Sequence, residues 1–501
     1  MSSSTWTVEP GGSTSKEEPG GSTSKEEPVG STWSVEPTGS IWKEECGVFG
    51  VWNYPEAARM TYLGLYAMQH RGQESAGIVS CDNSNGKNPE HIHHKGLGLV
   101  GEVFNEAALN RLKGSAAVGH VRYSTTGDNL LTNAQPLTAN LFSGPIAVAH
   151  NGNIVNTDQL KKDLKLAGSI FQGTNDTEVL LHLIARHPSD QILNCLMDSL
   201  PKLIGAFSFV ILTKDKLVAS RDPGGFRPLV MGKKDNGSIL FASETCAFDL
   251  VGAEYVREVE PGEIIVVDDT GVKSHFYAKQ EKKSHCVFEH VYFSRPDSVV
   301  FSKSVYESRK DFGRMTAKEN PVAADIVIPV PDSGIAAALG YSLESGIPLE
   351  FGIIRNHYVG RTFIQPEPSI RDFGVKIKLN PQSAVLKGKR VVVVDDSLVR
   401  GTTSKKIVQL IRQAGATEVH MRIAAPPTMS PCYYGVDTPQ RKQLIASHNS
   451  IEQICDFIEA DTLGYLSLDG MFKAMHFTDA IQGKQKFCAA CFDGDYPTVL
   501  G

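Results

Sequence analysis

Four consecutive valines, Val391 to Val394, run directly into Asp395 and Asp396 within RVVVVDDSLVRGTTSKKIVQLIRQAG (390–415). An unbroken β-branched run has no polar face to offer water, so it predicts a strand buried on both sides, as in a parallel sheet covered by helices. Ile407, Leu410 and Ile411 then recur at helical spacing, which gives strand, loop and helix in that order. Ligands of such sheets sit at the carboxyl ends of the strands. There the backbone from Ser397 to Thr403, including Arg400 and Gly401, the Thr402 and Thr403 hydroxyls and the helix start suit a phosphate. Asp395 and Asp396 suit ribose hydroxyls and a hard cation such as Mg²⁺. An ordinary strand, turn and capped helix is the competing reading.

A second apolar run, ADIVIPVPDSGIAAALGY (324–341), passes through Asp332, Ser333 and Gly334 into another helical pattern. Between the two loops lies RNHYVGRTFIQPEPSIRDFGVKIKLNP (355–381), which carries Arg355, Arg361, Arg371, Lys376 and Lys378 among Gly and Pro. So long a basic, irregular stretch beside two phosphate loops reads as a lid that brings positive charge and excludes water. The GxxxxGK[ST] loop and a convincing dinucleotide fingerprint are absent, which disfavours ATP or NAD chemistry.

The other end of the chain is a repeat of nine residues: SSSTWTVEP, GGSTSKEEP, GGSTSKEEP, VGSTWSVEP and TGSIWKEEC, ending on Cys46. Rich in Ser, Gly, Glu and Pro, it has too little apolar surface to offset chain entropy and is expected to be disordered. It lacks the basic start and apolar core of a signal peptide. At Cys46 the composition switches to CGVFGVW (46–52), a strand-like run. A cysteine in such a run is most often a small core residue. Cleavage before it, however, would put an α-amine of pKa ~7.7–8.0 next to the thiol, so that nucleophile and base are one residue. His150-Asn151-Gly152 reads alone as a hairpin turn, but it could equally supply a side-chain amide and an open N–H to an oxyanion.

The segments CGVFGVW, LYAMQHRGQESAG, GHVRYSTTG, AVAHNGNIVN and TNDTEVLLH together resemble the N-terminal-nucleophile glutamine amidotransferases. The resemblance implies that Cys46 is the nucleophile, freed by loss of the leader, and that Asn151 and Gly152 form the oxyanion hole. It further implies that Arg122 pairs with the glutamine α-carboxylate and Asp176 with its amino group, while Thr125, Arg71 and Gly72 shape the pocket. The valine segment resembles the type I phosphoribosyltransferases. By that resemblance Asp395 and Asp396 take the ribose hydroxyls, the 397–403 loop the 5-phosphate, and Asp332, Ser333, Gly334 and Arg361 the pyrophosphate side, with Mg²⁺ held near Ser333, Asp395 and Asp396.

Joined in one chain, the two halves resemble the glutamine phosphoribosylpyrophosphate amidotransferases, a match that extends to RDPGGFRPL (221–229), SETCAFD (243–249), REVEPGEI (257–264) and FEHVYFSRPDS (288–298). Arg355, His357 and Asp332 depart from that pattern, where Lys, Arg and Glu are usual. The implied reaction hydrolyses glutamine, channels ammonia to 5-phosphoribosyl 1-pyrophosphate, and releases pyrophosphate as 5-phosphoribosylamine forms at the entry to purine synthesis. Lid closure is expected to stimulate the glutaminase. The implied fold is α+β plus α/β, an N-terminal-nucleophile αββα glutaminase sandwich followed by a type I phosphoribosyltransferase parallel-sheet domain. The expected divisions are a leader at 1–45, a glutaminase at 46–285, a phosphoribosyltransferase at 286–480 and a tail at 481–501. The D-D and GTT loop separates this family from amidotransferases that make asparagine or glucosamine 6-phosphate. A non-catalytic sensor of phosphoribosyl pyrophosphate or purine nucleotides is the other alternative.

Nine cysteines in 501 residues, an odd number widely spread, do not form a secreted disulfide framework and fit a reducing cytosol. Cys488-Ala-Ala-Cys491 could bind a metal, and spacing alone admits zinc as readily as iron. Resemblance implies a [4Fe–4S] cluster on Cys286, Cys432, Cys488 and Cys491, leaving Cys81, Cys195, Cys246 and Cys455 to packing. A net charge of −6 argues against nucleic acid, and no apolar run reaches the ~18 residues of a membrane span. Purine nucleotides as feedback inhibitors and a homo-oligomer, dimer or tetramer, complete the expectations.

Overall fold

A computed structural model describes residues 44–82, 89–124, 131–279, 282–356, 379–436, 438 and 440–499. The repeated leader through residue 43, Thr125, and the expected lid over 357–378 with Arg361 lie outside the described residues.

The CGVFGVW run lies within strand β1 (Glu44–Trp52), which is antiparallel to β2 (Ala116–Ser124) with Cys46 opposite Arg122. These two occupy the middle of a seven-stranded sheet whose order is Glu254–Glu258, Val230–Lys233, Ile239–Ala242, β1, β2, Ser75–Asp82, Glu90–Leu97. A six-stranded antiparallel sheet lies against it in the order Leu137–Leu141, β3 (Gly144–Ile154), β4 (Gly205–Thr213), Leu217–Arg221, Glu263–Asp268, Gly271–Phe276.

Period-two alternation divides each strand between two cores. Val48 and Trp52 of β1 join Val118 of β2, Ala147 and Ala149 of β3, and Val210 and Leu212 of β4 between the sheets. Phe49 and Val51 face outward onto α1 (Ala57–Ala67) and Cys246–Val251. Helices Glu178–Ala185 and Ile192–Ser199 cover the outer face of the six-stranded sheet. The expected αββα sandwich is therefore present. Gly50 is required at its centre, because a Cβ there would stand 2.6 Å from Val210 Cγ1 of the opposing sheet.

The second half is built on a parallel sheet of β5 (Ile326–Pro329), β6 (Arg390–Asp395), β7 (Glu418–Ile423) and β8 (Thr462–Tyr465). All four valines of β6 are fully buried. Val392 and Val394 face α2 (Val305–Glu319), α3 (Ile335–Ser345) and Leu468–Ala474, whereas Val391 and Val393 face α4 (Thr402–Gln413) and Ile451–Ile458. The short strands His285–Cys286 and Phe487–Cys488 pair in parallel, so the C-terminal segment is fastened at the junction of the halves.

Helices α2 and α3 touch backbone to backbone: a Cβ on Gly313 would lie 1.8 Å from the Ala337 carbonyl oxygen, and one on Gly340 at the same distance from that of Lys310. Overpacking a rigid contact costs ~1–3 kcal/mol. G340A is expected to lower stability by at least the middle of that range, read from the urea midpoint, while an exposed control such as G237A, which meets nothing within 4 Å but sits at positive φ, changes it less.

Candidate active sites

At one end of the sandwich the alternation that buries Val48, Val118 and Ala149 between the sheets also assigns Cys46, Arg122 and Asn151 to that same inner face. Cys46 is fully buried, and Arg122 and Asn151 nearly so. The tripeptide His150-Asn151-Gly152 is not a turn. It continues β3, where Gly152 pairs with Phe207 at a φ of +143° and a Cβ would come within 2.1 Å of the Ala206 carbonyl oxygen.

Ser243 joins the two strands: its Oγ accepts the Val48 N–H at 3.0 Å and lies 3.3 Å from Asn151 Nδ2, which donates to it. Asn151 Oδ1 has no hydrogen-bond partner among the described residues. Burial pulls the His120 imidazole down to about 3, so the ring is neutral and Nε2–H donates to the His150 carbonyl at 2.9 Å. Asp176 turns inward to accept the Ile154 N–H at 2.9 Å, 3.4 Å from His150 Nδ1. Burial opposes ionisation of this carboxyl, but His150 and the Ile154 N–H outweigh it and hold it below its ordinary value. A glutamine ammonium reaching Asp176 must share these oxygens.

Arg71, expected with Gly72 to shape the glutamine pocket, contacts the backbone of Cys46. Its guanidinium is fully buried and engaged by protein: Nε donates to the Cys46 carbonyl at 2.9 Å, Nη1 to Glu244 at 2.5 Å, and Nη2 to Glu289 at 2.9 Å. It thereby holds the backbone of Cys46. Gly72, just after the turn Gln69–Arg71, packs against β2, where a Cβ would be 2.5 Å from the Arg122 nitrogen. Ser243, Glu244 and Glu289 were not named as site residues from sequence, although SETCAFD and FEHVYFSRPDS, which contain them, stood out.

The phosphoribosyl loops leave adjacent parallel strands, Pro329 opposite Val394, at their carboxyl ends. Asp395 and Asp396 are nearly buried. Burial and the neighbouring Asp396 charge push Asp395 well above its ordinary value; burial raises Asp396 too, against the Ser333 and Ser397 hydroxyls. Ser333 thus reaches the acidic pair from the other loop, and these three residues offer oxygen donors to a hard cation. Gly401 begins α4 at a φ of +74°, leaving Thr402 and Thr403 exposed at its start, while Arg400 is exposed and donates to Gln443. Gly334 is pressed between carbonyls, its Cβ position 2.6 Å from the Val394 oxygen. The departures Asp332 and Arg355 prove to be partners, since Arg355 Nη1 donates to the Asp332 carboxylate. A shorter acid is met by a longer base.

Comparison with known proteins finds matches to both halves of the chain. Residues 120–249 match the glutamine amidotransferase domain and residues 312–427 the phosphoribosyl transferase domain. Amidophosphoribosyltransferase 1, chloroplastic, of Arabidopsis thaliana is 55% identical over 457 residues, 91% of this chain and 79% of that protein. The Bacillus subtilis amidophosphoribosyltransferase is 49% identical over 463 residues, 91% and 95% of the two chains. The chain belongs to the amidophosphoribosyltransferase family. A solved structure of the B. subtilis glutamine phosphoribosylpyrophosphate amidotransferase with ADP and GMP superposes with a TM-score of 0.85 at 48% identity, covering 91% of this chain and 98% of that one. Like the family, this chain is a glutamine-dependent phosphoribosylpyrophosphate amidotransferase of purine biosynthesis, and the reading as a non-catalytic sensor falls away.

His70 and Arg71 hold Glu244 well below the usual carboxylate range even though burial opposes them. A depressed folded-state pKa gives stability that is complete above the unfolded value of ~4.3 and is lost as pH falls below it. The thermal midpoint is therefore expected to be flat from pH 7 to about 5 and to fall below ~4.3, and E244Q should flatten that acid limb.

Proposed function

We propose that removal of the residues preceding Cys46 frees its α-amine, which then draws the thiol proton as the sulfur attacks the glutamine carboxamide carbon. In the uncut chain the Glu45–Cys46 bond lies inside β1, and the Cys46 nitrogen is an amide, which has no basicity. The negative oxygen that develops is met by the Asn151 side-chain amide and the Gly152 N–H. The C–N bond breaks, ammonia leaves with the proton held by the amine, and water hydrolyses the glutamyl thioester to glutamate. Arg122 and Asp176 recognise the α-carboxylate and α-ammonium. The observation that carries this reading is the convergence of Cys46, Arg122 and Asn151 on one inter-sheet face.

Ammonia then attacks C1 of the ribose and pyrophosphate departs. Asp395 and Asp396 orient the ribose hydroxyls, while the 397–403 loop and the start of α4 take the 5-phosphate. With Ser333 they fit Mg²⁺, which supplies charge neutralisation on the departing pyrophosphate.

Cys286, Cys432, Cys488 and Cys491 line one cavity with Phe226, Phe288, Tyr434 and Tyr496, and we assign it a [4Fe–4S] cluster. Cys286 and Cys488 are register partners, and burial pushes the Cys286 thiol up to about 12, so without a cationic centre it stays protonated. Among the described residues no three His, Cys, Asp or Glu side chains converge on a single ion. Four thiols around one cavity match the four thiolates that such a cluster takes.

We further assign regulation by purine nucleotides, by analogy with the ADP- and GMP-bound relative. A homo-oligomer, dimer or tetramer, is consistent with exposed apolar residues such as Phe142, Leu166 and Ile170. A cytoplasmic location accords with a leader of three lysines and eight glutamates, unlike an Arg-rich transit peptide, and no described helix is long and apolar enough to cross a membrane.

Intact mass of purified protein is expected to give a chain that begins at Cys46; a working enzyme retaining the leader refutes the nucleophile. N151A should lower kcat for glutamine about 100-fold while leaving the ammonia-dependent reaction intact. Anaerobically purified protein should contain iron and sulfide in equal amounts, and colourless protein with zinc refutes the cluster.

A further inference from the structure

The residues of RDPGGFRPL and FEHVYFSRPDS meet at Glu289, a fully buried carboxylate that neither half-reaction uses. It binds two guanidiniums. On one side Arg71 Nη2 donates to Glu289 Oε1 at 2.9 Å and Nη1 to Oε2 at 3.0 Å, and this same arginine holds the Cys46 carbonyl through Nε. On the other side Arg227 Nη1 donates to Glu289 Oε1 at 3.0 Å, and Arg227 Nε donates to the Tyr434 carbonyl at 3.0 Å.

Tyr434 lies in the segment Tyr433–Gly435, which belongs to the phosphoribosyl half yet packs on the oxyanion strand. Asn153 Nδ2 donates to the Tyr433 carbonyl at 2.8 Å. Gly435, at a φ of +89°, sits so close to Gly152 that a Cβ would be 2.9 Å from its carbonyl carbon. The nucleophile and its oxyanion strand belong to different sheets. Through its two arginines, one carboxylate ties the Cys46 backbone to the segment that backs Gly152. Ser294 Oγ donates to the carboxylate at 2.5 Å, and Arg309, which holds the Ser294 carbonyl at 2.7 Å, feels the charge of Asp396 in the phosphoribosyl site.

We infer that Glu289 is a positioning residue for glutamine hydrolysis, setting the Cys46 nucleophile against the Asn151–Gly152 oxyanion strand through Arg71 and Arg227. This deepens the reading of Cys46 as nucleophile and rests on it. Gln at 289 keeps the shape but withdraws the charge that binds both arginines.

The test compares glutamine-dependent and ammonia-dependent synthesis in the processed, full-length enzyme. E289Q is expected to lower kcat for glutamine at least tenfold with KM changed less than threefold, and to leave ammonia-dependent turnover within twofold of wild type. A merely structural role would reduce both reactions together, and that outcome overturns the inference, as does an unchanged glutamine kcat. Should E289Q fail to fold, R227K decides, because it keeps the positive charge but removes the fork that joins Glu289 to the Tyr434 carbonyl. The same selective loss supports the inference, and retention of the glutamine rate overturns it. C46A sets the floor for the glutamine-dependent rate. If C46A itself kept that rate, the nucleophile assignment would fall and this inference with it, whereas a dead C46A beside a normal E289Q rejects the positioning role alone.

Discussion

A guanidinium without water around it is the constraint on which the glutaminase half depends. Arg71 is completely buried, and burial by itself would favour its neutral form; Glu289 and Glu244 reverse that and keep it charged. Losing one partner of such a buried pair costs about 3–5 kcal/mol, because the remaining charge is stranded. Arg71 is therefore held to one geometry, and the Cys46 carbonyl bound to its Nε is held with it. The carboxylates come from segments far apart in sequence, so the placement of Cys46 requires the complete fold around it.

The same economy runs through both sheets. In β1 one set of alternate residues builds the core against α1 while the other builds the inter-sheet core, and Cys46 lies in line with the second set near the strand's start. In β6 both sets are valine because helices cover both faces, and polarity appears only where the strand ends, at Asp395 and Asp396. In both halves the candidate site residues lie where an apolar strand pattern gives way to polar residues, supported by the buried part of the strand.

Much of this was legible in the residues themselves. The valine run, the helical spacing after it and the switch of composition at Cys46 stated the parallel sheet, α4 and β1 with nearly their observed extents. His150-Asn151-Gly152 was ambiguous, because a turn and a strand carrying a glycine at positive φ use the same residues; pairing with Phe207 decided it. Resemblance places Arg71 among the residues that shape the pocket, but no local pattern announces that Glu244 and Glu289 engage its guanidinium. Asp332 and Arg355, which looked like unrelated departures, explain each other once the loops are folded together.

By itself the sequence determined the two folds, the likeness of each half to its family and the chemical types placed at the strand ends, since periodicity and local residue chemistry are properties of neighbouring positions. Only the tertiary structure decided which charges neutralise one another, which face of β1 and β3 the reactive groups share, and how a carboxylate at the junction reaches both. Those are matters of distance between residues hundreds of positions apart, and burial, by removing water's screening, turns such distances into the dominant energies of the site.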